Sequence, residues 1–245
     1  DNQICAFAGG FTQTIDQFPL DNIEYCHDEM WRNYVRGTLQ CLRQHNNEFS
    51  GMNLYIAGNV PQGAGLSSSA SFEIALLKTV TDLYSLDLGG VDAALIGQAA
   101  ENSFVGCNCG IMDQLVSAMG LENHAMVLDC RDLSIKDAPI PEGTAILVVN
   151  SNVKRGLVDS EYNSRRSQCE TVAQILGVAA LRDLSVSQLQ NAKLLLTDEQ
   201  FRRARHVITE NDRTMDAMAA MQANDLTRLG QLMAESHASL RDDYQ

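Results

Sequence analysis

The stretch from Met52 to Tyr84 restricts the fold more than any other. Residues 52–57 alternate as a strand does and run into Gly58-Asn59-Val60-Pro61. Gln62-Gly63-Ala64-Gly65-Leu66-Ser67-Ser68-Ser69-Ala70-Ser71 follows, and a helical pattern continues to about Tyr84. A strand that feeds a long helix through small residues is a building unit of layered α/β folds. The junction also carries chemistry. Gly63 and Gly65 open backbone angles closed to other residues. The amides of a first helical turn point outward without intrahelical partners, at the positive end of the helix dipole, so an anion is the natural guest. Hydroxyls at Ser67, Ser68 and Ser69 add donors or a ligand for a hard cation. The plainer alternative is a helix cap lined with small packing residues. The segment is not a Walker loop, whose lysine would close the loop; here the next lysine is Lys78, well inside the helix. Nor is it a dinucleotide fingerprint, because Ser68 stands where a third glycine is required.

The surroundings read as a mixed half followed by a helical half. Residues 1–20 are expected to form short strands and turns. A helix is expected over 29–44, where Trp31, Tyr34, Val35, Leu39 and Leu42 recur at helical spacing. A second helix follows over 91–104 after Gly89-Gly90, and a loop over 105–110 leads to a short helix near 112–119. Strands around 125–129 and 133–136 form a hairpin, and a buried strand is expected over 145–150. Beyond that the chain is nearly all helix, near 157–176, 185–195, 198–222 and 225–240. Thr197-Asp198 serves as an N-cap, and Gly177 and Asn224-Asp225 as breaks. In this half Phe201, Ala204, Ile208, Met215 and Met218 share one face, as do Val158, Tyr162, Cys169, Val172 and Leu176. Two domains are expected, 1–150 and 151–245.

Composition narrows the class of partner. With 18 Lys and Arg against 31 Asp and Glu, the 245-residue chain carries a formal net charge of −13. That argues against nucleic acid or an anionic membrane as a partner, though not against a small anion held by backbone amides. No apolar run is long enough to span a bilayer. Seven cysteines without a Cys-x-x-Cys pair suggest free thiols in a reducing, cytoplasmic setting, and Cys107 with Cys109 is a weak metal candidate. The start at Asp1 and the end at Tyr244-Gln245 suggest a piece of a longer polypeptide.

The 61–71 segment resembles the nucleotide loop of the GHMP kinases. More narrowly, Ala100-Glu-Asn-Ser-Phe-Val-Gly-Cys-Asn-Cys-Gly-Ile-Met-Asp-Gln114 resembles the galactokinase family. So do Trp31-Arg-Asn-Tyr-Val-Arg-Gly37, Asn150-Ser-Asn-Val-Lys-Arg155, Ser160-Glu-Tyr-Asn-Ser-Arg-Arg-Ser-Gln-Cys-Glu170 and Arg203-Ala-Arg-His-Val-Ile-Thr-Glu-Asn211. The likeness covers nearly the whole chain and is weakest over residues 1–25. It implies an α/β (α+β) architecture of two GHMP-kinase-like domains, a mixed-sheet N-terminal one and a helix-rich C-terminal one. Two family signatures are missing: the Gly-Arg-Val-Asn-Leu-Ile-Gly-Glu-His-Thr-Asp segment that opens galactokinases and the Gly-Gly-Gly-Phe-Gly-Gly loop near their end. The resemblance therefore implies the middle of a galactokinase, truncated at both ends and inactive by itself.

The same resemblance assigns roles. Gly63, Ala64, Gly65, Leu66, Ser67, Ser68 and Ser69 would bind ATP, with Trp31 and Tyr34 near the adenine. Ser69 and Glu101 would hold Mg²⁺, which suits hard oxygen donors. Asp113 would face the anomeric hydroxyl of galactose as the catalytic aspartate, and Gly110 and Tyr162 would touch the sugar. Read without the resemblance, Glu101 is a solvated acid, Asp113 a first-turn acid on the helix dipole, Gly110 a turn, and Trp31, Tyr34 and Tyr162 core aromatics. The implied reaction is transfer of the γ-phosphoryl of ATP to the 1-hydroxyl of α-D-galactose; the sequence leaves the oligomeric state open, with a monomer favoured. A related N-acetylgalactosamine kinase and a non-catalytic galactose and ATP sensor are the alternatives; the intact Ser69-Ala70-Ser71 favours an enzyme. His206 and Glu210, four apart, receive no chemistry. Lys154, Arg155, Arg165 and Arg166 either steer ATP or pair with Asp159 and Glu161.

Overall fold

The structure, a computed structural model, describes residues 2–9, 14–45, 48–150 and 160–244, and for 160–163 the backbone alone. It divides into two compact units. The first takes in residues 1–120, 128–134 and 149–158, the second 121–127, 135–148 and 159–245.

The first unit is built on a sheet of order β2-β1-β3: β1 (Gln3–Ala8), β2 (Ile15–Pro19) and β3 (Met52–Ile56). β2 runs antiparallel to β1, whereas β3 runs parallel to it, in the register Ile4↔Met52 to Ala8↔Ile56. A parallel neighbour demands a crossover, and α1 (Met30–Gln44) supplies it. Ile4, Ala6 and Ala8 alternate onto the buried face of β1, where the expected stripe of α1 (Trp31, Val35, Leu39, Leu42) covers them. α2 (Ser68–Tyr84) adds Ile74, Leu77 and Val80 to the same core. Arg36 on α1 locks β2 in place, giving Asp16 two hydrogen bonds of 2.9 and 2.7 Å while Asp16 is 1% exposed. Then follow α3 (Gly90–Ala99), a π-helical turn (Ala100–Val105) and α4 (Met112–Met119). β4 (His124–Leu128) pairs with β5 (Ile135–Pro139) as the expected hairpin, which falls almost wholly in the second unit.

The second unit contains α5 (Ser160–Ile175), α6 (Val186–Asn191), α7 (Asp198–Gln222) and α8 (Leu226–Ser239). Its core gathers Val172, Leu181, Leu189, Phe201, Ala204 and Ile208. The start of α7 follows from sequence: the Thr197 hydroxyl accepts from the Gln200 amide while the Gln200 side chain accepts from the Thr197 amide, a reciprocal cap.

Two expectations fail. Residues 145–150 form no strand, and Ile146, Leu147, Val148 and Val149 are largely exposed. An apolar run becomes a strand only when a neighbour accepts its hydrogen bonds, and no strand among the described residues does so. Met215 continues the helical stripe of α7 but is exposed, because the core cluster of this unit takes nothing from α7 beyond Ile208. Val158 lies outside the described residues.

Candidate active site

β3 ends at Ile56, and the chain crosses an exposed loop before entering α2 at Ser68. Gly63 (φ +66°) and Gly65 (φ +72°) are left-handed, and a Cβ on either would meet none of the described residues within 4 Å. Glycine serves here to set backbone angles, and no described residue packs against it. Ser67 is also left-handed (φ 54°), a conformation that costs a non-glycine residue about 1–2 kcal/mol. Its side chain makes no cap, and the first amide captured by the helix is that of Ser71, which donates to Ser67 O at 3.0 Å. The amides of Ser68, Ser69 and Ala70 therefore sit at the dipole's positive end without an intrahelical acceptor. Gly63 to Ser69, the expected phosphate loop, is open to solvent and equipped for an anion.

A compact polar cluster lies below the first turn of α2. The Tyr34 phenol on α1 interacts with the Ser69 side chain. One turn further along α2, Glu73 is wholly buried; its Oε2 accepts from Gln114 Nε2 on α4 at 3.2 Å. Glu101, on the π-helical turn that prolongs α3, is 5% exposed. Its backbone oxygen accepts from the amides of Gly106 (2.8 Å) and Cys107 (2.9 Å), which fixes the loop leading to α4. The Cys109 thiol donates to Asn102 Oδ1 at 3.5 Å and lies within the influence of the Glu101 carboxylate. Oε1 of Glu73, Oε1 of Glu101 and Oε1 of Gln114 are all buried without a partner among the described residues.

The electrostatics follow from that crowding of acids. Burial, reinforced by the charge of Glu101, pushes Glu73 up to about 9 from its ordinary 4.5. Burial and the two carboxylates raise the Tyr34 phenol. Cys109 and Cys107 are raised by burial and then by Glu101, so both thiols stay protonated and unreactive at neutral pH.

Asp113 falls in the first turn of α4, half-buried, as the sequence suggests. Gly110 is exposed, and a Cβ there would meet nothing within 4 Å. Ser69, Glu101 and Tyr34 are brought together. Trp31 instead sits in the core at 9% exposure with its indole nitrogen donating to Glu29 Oε2 (3.3 Å). Tyr162 lies on the first turn of α5, with its side chain outside the described residues, as are Lys154 and Arg155 entirely. Arg166 pairs with Glu170 within its own helix (3.0 Å), and Arg165 lies over the Tyr244 ring. His206 and Glu210 have structural occupations: the imidazole Nδ1 is 2.9 Å from Ser239 Oγ and stacks on Tyr244, and Glu210 accepts from Ser236 and Arg213. No cluster of three His, Cys, Asp or Glu side chains suited to a metal occurs among the described residues. Glu73 and Gln114 were missed. The available signal was an acid between Ala70, Ile74 and Leu77 on the apolar face of α2, four residues from Ser69.

Residues 33–121, which hold α1 to α4 and this cluster, match the family model of the GHMP kinases N terminal domain. Among solved structures, Lactococcus lactis galactokinase complexed with galactose superposes with a TM-score of 0.91 at 32% sequence identity, covering 100% of this chain and 65% of that one. The chain has the fold of a GHMP kinase. The D-glycero-D-manno-heptose 1-phosphate kinase of Bacteroides thetaiotaomicron repeats the GHMP-kinase fold more distantly, with a TM-score of 0.56 at 13% identity over 98% of this chain and 64% of that one. The chain thus spans just under two thirds of the length of these kinases. No helix among the described residues is long and apolar enough to cross a membrane.

Proposed function

We propose that this GHMP-kinase chain carries the phosphate- and sugar-facing machinery of a galactokinase, which transfers the γ-phosphoryl of ATP to the 1-hydroxyl of α-D-galactose in the cytoplasm. The observation that carries the reading is the juxtaposition at the start of α2. Amides of Ser68 to Ala70 that no side chain caps open α2 beside Ser69, and the Ser69 side chain interacts with the Tyr34 phenol, which feels the charges of Glu101 and Glu73. The neighbour bound to galactose supports the choice of sugar.

Each residue has a task in that reaction. The loop amides from Gly63 to Ser69 hold the polyphosphate by backbone hydrogen bonds, which a chain with a net charge of −13 needs in place of a basic patch. Tyr34 fixes the Ser69 hydroxyl. Ser69 Oγ and Glu101 Oε1 are hard oxygen donors, and the unpartnered buried Oε1 of Glu101 fits a divalent cation that completes its coordination with phosphate oxygens and water. Mg²⁺ held there would neutralise charge on the transferring phosphoryl group. Asp113, held at the start of α4, orients the sugar 1-hydroxyl. In a loose phosphoryl-transfer transition state the proton leaves late, so alignment and electrostatics outweigh base strength. Gly110 offers room for the sugar against backbone.

The test uses the complete protein that contains these residues, with ATP, Mg²⁺ and a panel of hexoses and N-acetylhexosamines. Galactose is the expected acceptor. Turnover of N-acetylgalactosamine alone would move the assignment to that sugar, and binding of ATP and galactose without turnover would leave a sensor. Asp113→Asn is expected to abolish turnover with ATP affinity unchanged by calorimetry; unaltered turnover would remove Asp113 from its role.

A further inference from the structure

Glu73 and Gln114 share one hydrogen bond, Nε2 to Oε2 at 3.2 Å, and each keeps a second oxygen that is buried with no partner. Both side chains are at least 99% buried. A carboxylate left in such a place with a single donor is expensive, because its second oxygen has lost water and gained nothing. One proton removes the difficulty for both residues. A neutral carboxylic acid has one donor and one acceptor, a primary amide likewise, and the two are complementary: the amide N–H donates to the acid carbonyl while the acid O–H donates to the amide carbonyl. The two orphaned oxygens, Glu73 Oε1 and Gln114 Oε1, are the atoms that this second bond would join.

We propose that Glu73 is a neutral acid in a two-point pair with Gln114, and that this pair positions the first turn of α4, with Asp113, on α2 and its phosphate loop. The catalytic part rests on the function proposed above; the pairing does not. The surroundings favour the proton. Glu101 faces Glu73 from the π-helical turn, Tyr34 from α1, and Cys107 and Cys109 from the loop before α4; no cationic side chain among the described residues acts on it. Gly97 lets α3 close over the pair, since a Cβ there would lie 3.1 Å from Gln114 Cγ and 3.3 Å from Glu73 Oε2. The Gln114 amide also lies 4.0 Å from Cys109 Sγ, and the Gln98 amide donates to Cys109 O at 3.2 Å, so the loop entering α4 hangs on the same group of side chains. Gln114 is the next residue after Asp113, and holding one fixes the backbone of the other.

Four variants of the complete protein test this. Glu73→Gln keeps a two-point pair, amide to amide, and is expected to melt within about 2 °C of the parent. Glu73→Ala and Gln114→Glu, which orphan a buried group or crowd a third acid beside Glu101, are expected to lose about 5 °C or more. The exchange Glu73→Gln with Gln114→Glu rebuilds the pair in reverse and is expected to recover most of the loss of Gln114→Glu. At pH 7 the infrared spectrum should hold a protonated-carboxyl C=O band that vanishes in Glu73→Gln. With kinase activity, Glu73→Ala should lower kcat by about tenfold to a hundredfold at constant KM for ATP, and Glu73→Gln should restore it. A Glu73→Gln protein as unstable as Glu73→Ala would mean that the charge is needed and would overturn the proposal, as would an exchange that recovers nothing. If the parent itself phosphorylates no sugar, the functional reading fails, while melting and infrared data still decide the pair.

Discussion

Substituting Gly97 sets two opposed effects of known size against each other. An alanine inside α3 favours the helix over glycine by about 1 kcal/mol. Its Cβ, however, would stand 3.1 Å from Gln114 Cγ and 3.3 Å from Glu73 Oε2, closer than side-chain carbons ordinarily sit. Those two neighbours are buried and bonded to each other at 3.2 Å, so neither can swing into solvent to make room. Forcing a methyl into such a site costs roughly 1–3 kcal/mol, and pulling the pair apart adds about 1–3 kcal/mol for the groups left unsatisfied. The packing cost wins, with a net destabilisation of roughly 1–5 kcal/mol, or about 2–20 °C in Tm for a chain of this size. Gly230, on an exposed face of α8, provides the control: its added Cβ would meet nothing within 4 Å, so Gly230→Ala should gain up to about 1 kcal/mol. Thermal melts by circular dichroism of the parent and the two single variants suffice. A Gly97→Ala protein as stable as the parent, beside a stabilised Gly230→Ala, would refute the packing argument and the account of the cluster built on it.

The buried ion pair between α1 and β2 should be costly to break from one side. Asp16→Ala strands Arg36, with Arg32 close by, and is expected to lose about 3–5 kcal/mol in urea denaturation; a loss under 1 kcal/mol would mean that water replaces the carboxylate. The raised Glu73 gives stability a sign with pH. Between about 4.5 and about 9 the folded chain binds a proton that the unfolded chain has released, so stability is greatest below that window and is lost as pH rises through it. Without Mg²⁺, the parent's Tm should therefore fall from pH 6 to pH 9 relative to that of Glu73→Gln; parallel curves would contradict a raised Glu73.

Much of the fold and part of the site can be read without coordinates, and the reasons are local. The limits of α1, α2, α4 and α7 follow from periodicity and caps within a few residues, as in the reciprocal bond of Thr197 with Gln200. The open loop at Gly63 and Gly65 follows from glycine's freedom. By contrast, residues 145–150 have a strand's composition but no partner among the described residues, and Met215 keeps its place on the stripe of α7 without a core to meet. Trp31 and Tyr34 look alike in sequence, one turn apart; their neighbours send one into the core and leave the other half-buried beside Ser69.

The linear chain determined which segments can be helix or strand, where an anion can meet bare amides, and which acids and hydroxyls stand nearby, because each of these depends on groups a few bonds apart. Only the folded structure decided that Glu73 and Gln114, 41 residues apart, bond to each other in a buried space under the charge of Glu101. Desolvation and the pairing of distant charges depend on what surrounds a group in three dimensions, and that is where an acid on the apolar face of a helix takes on its function.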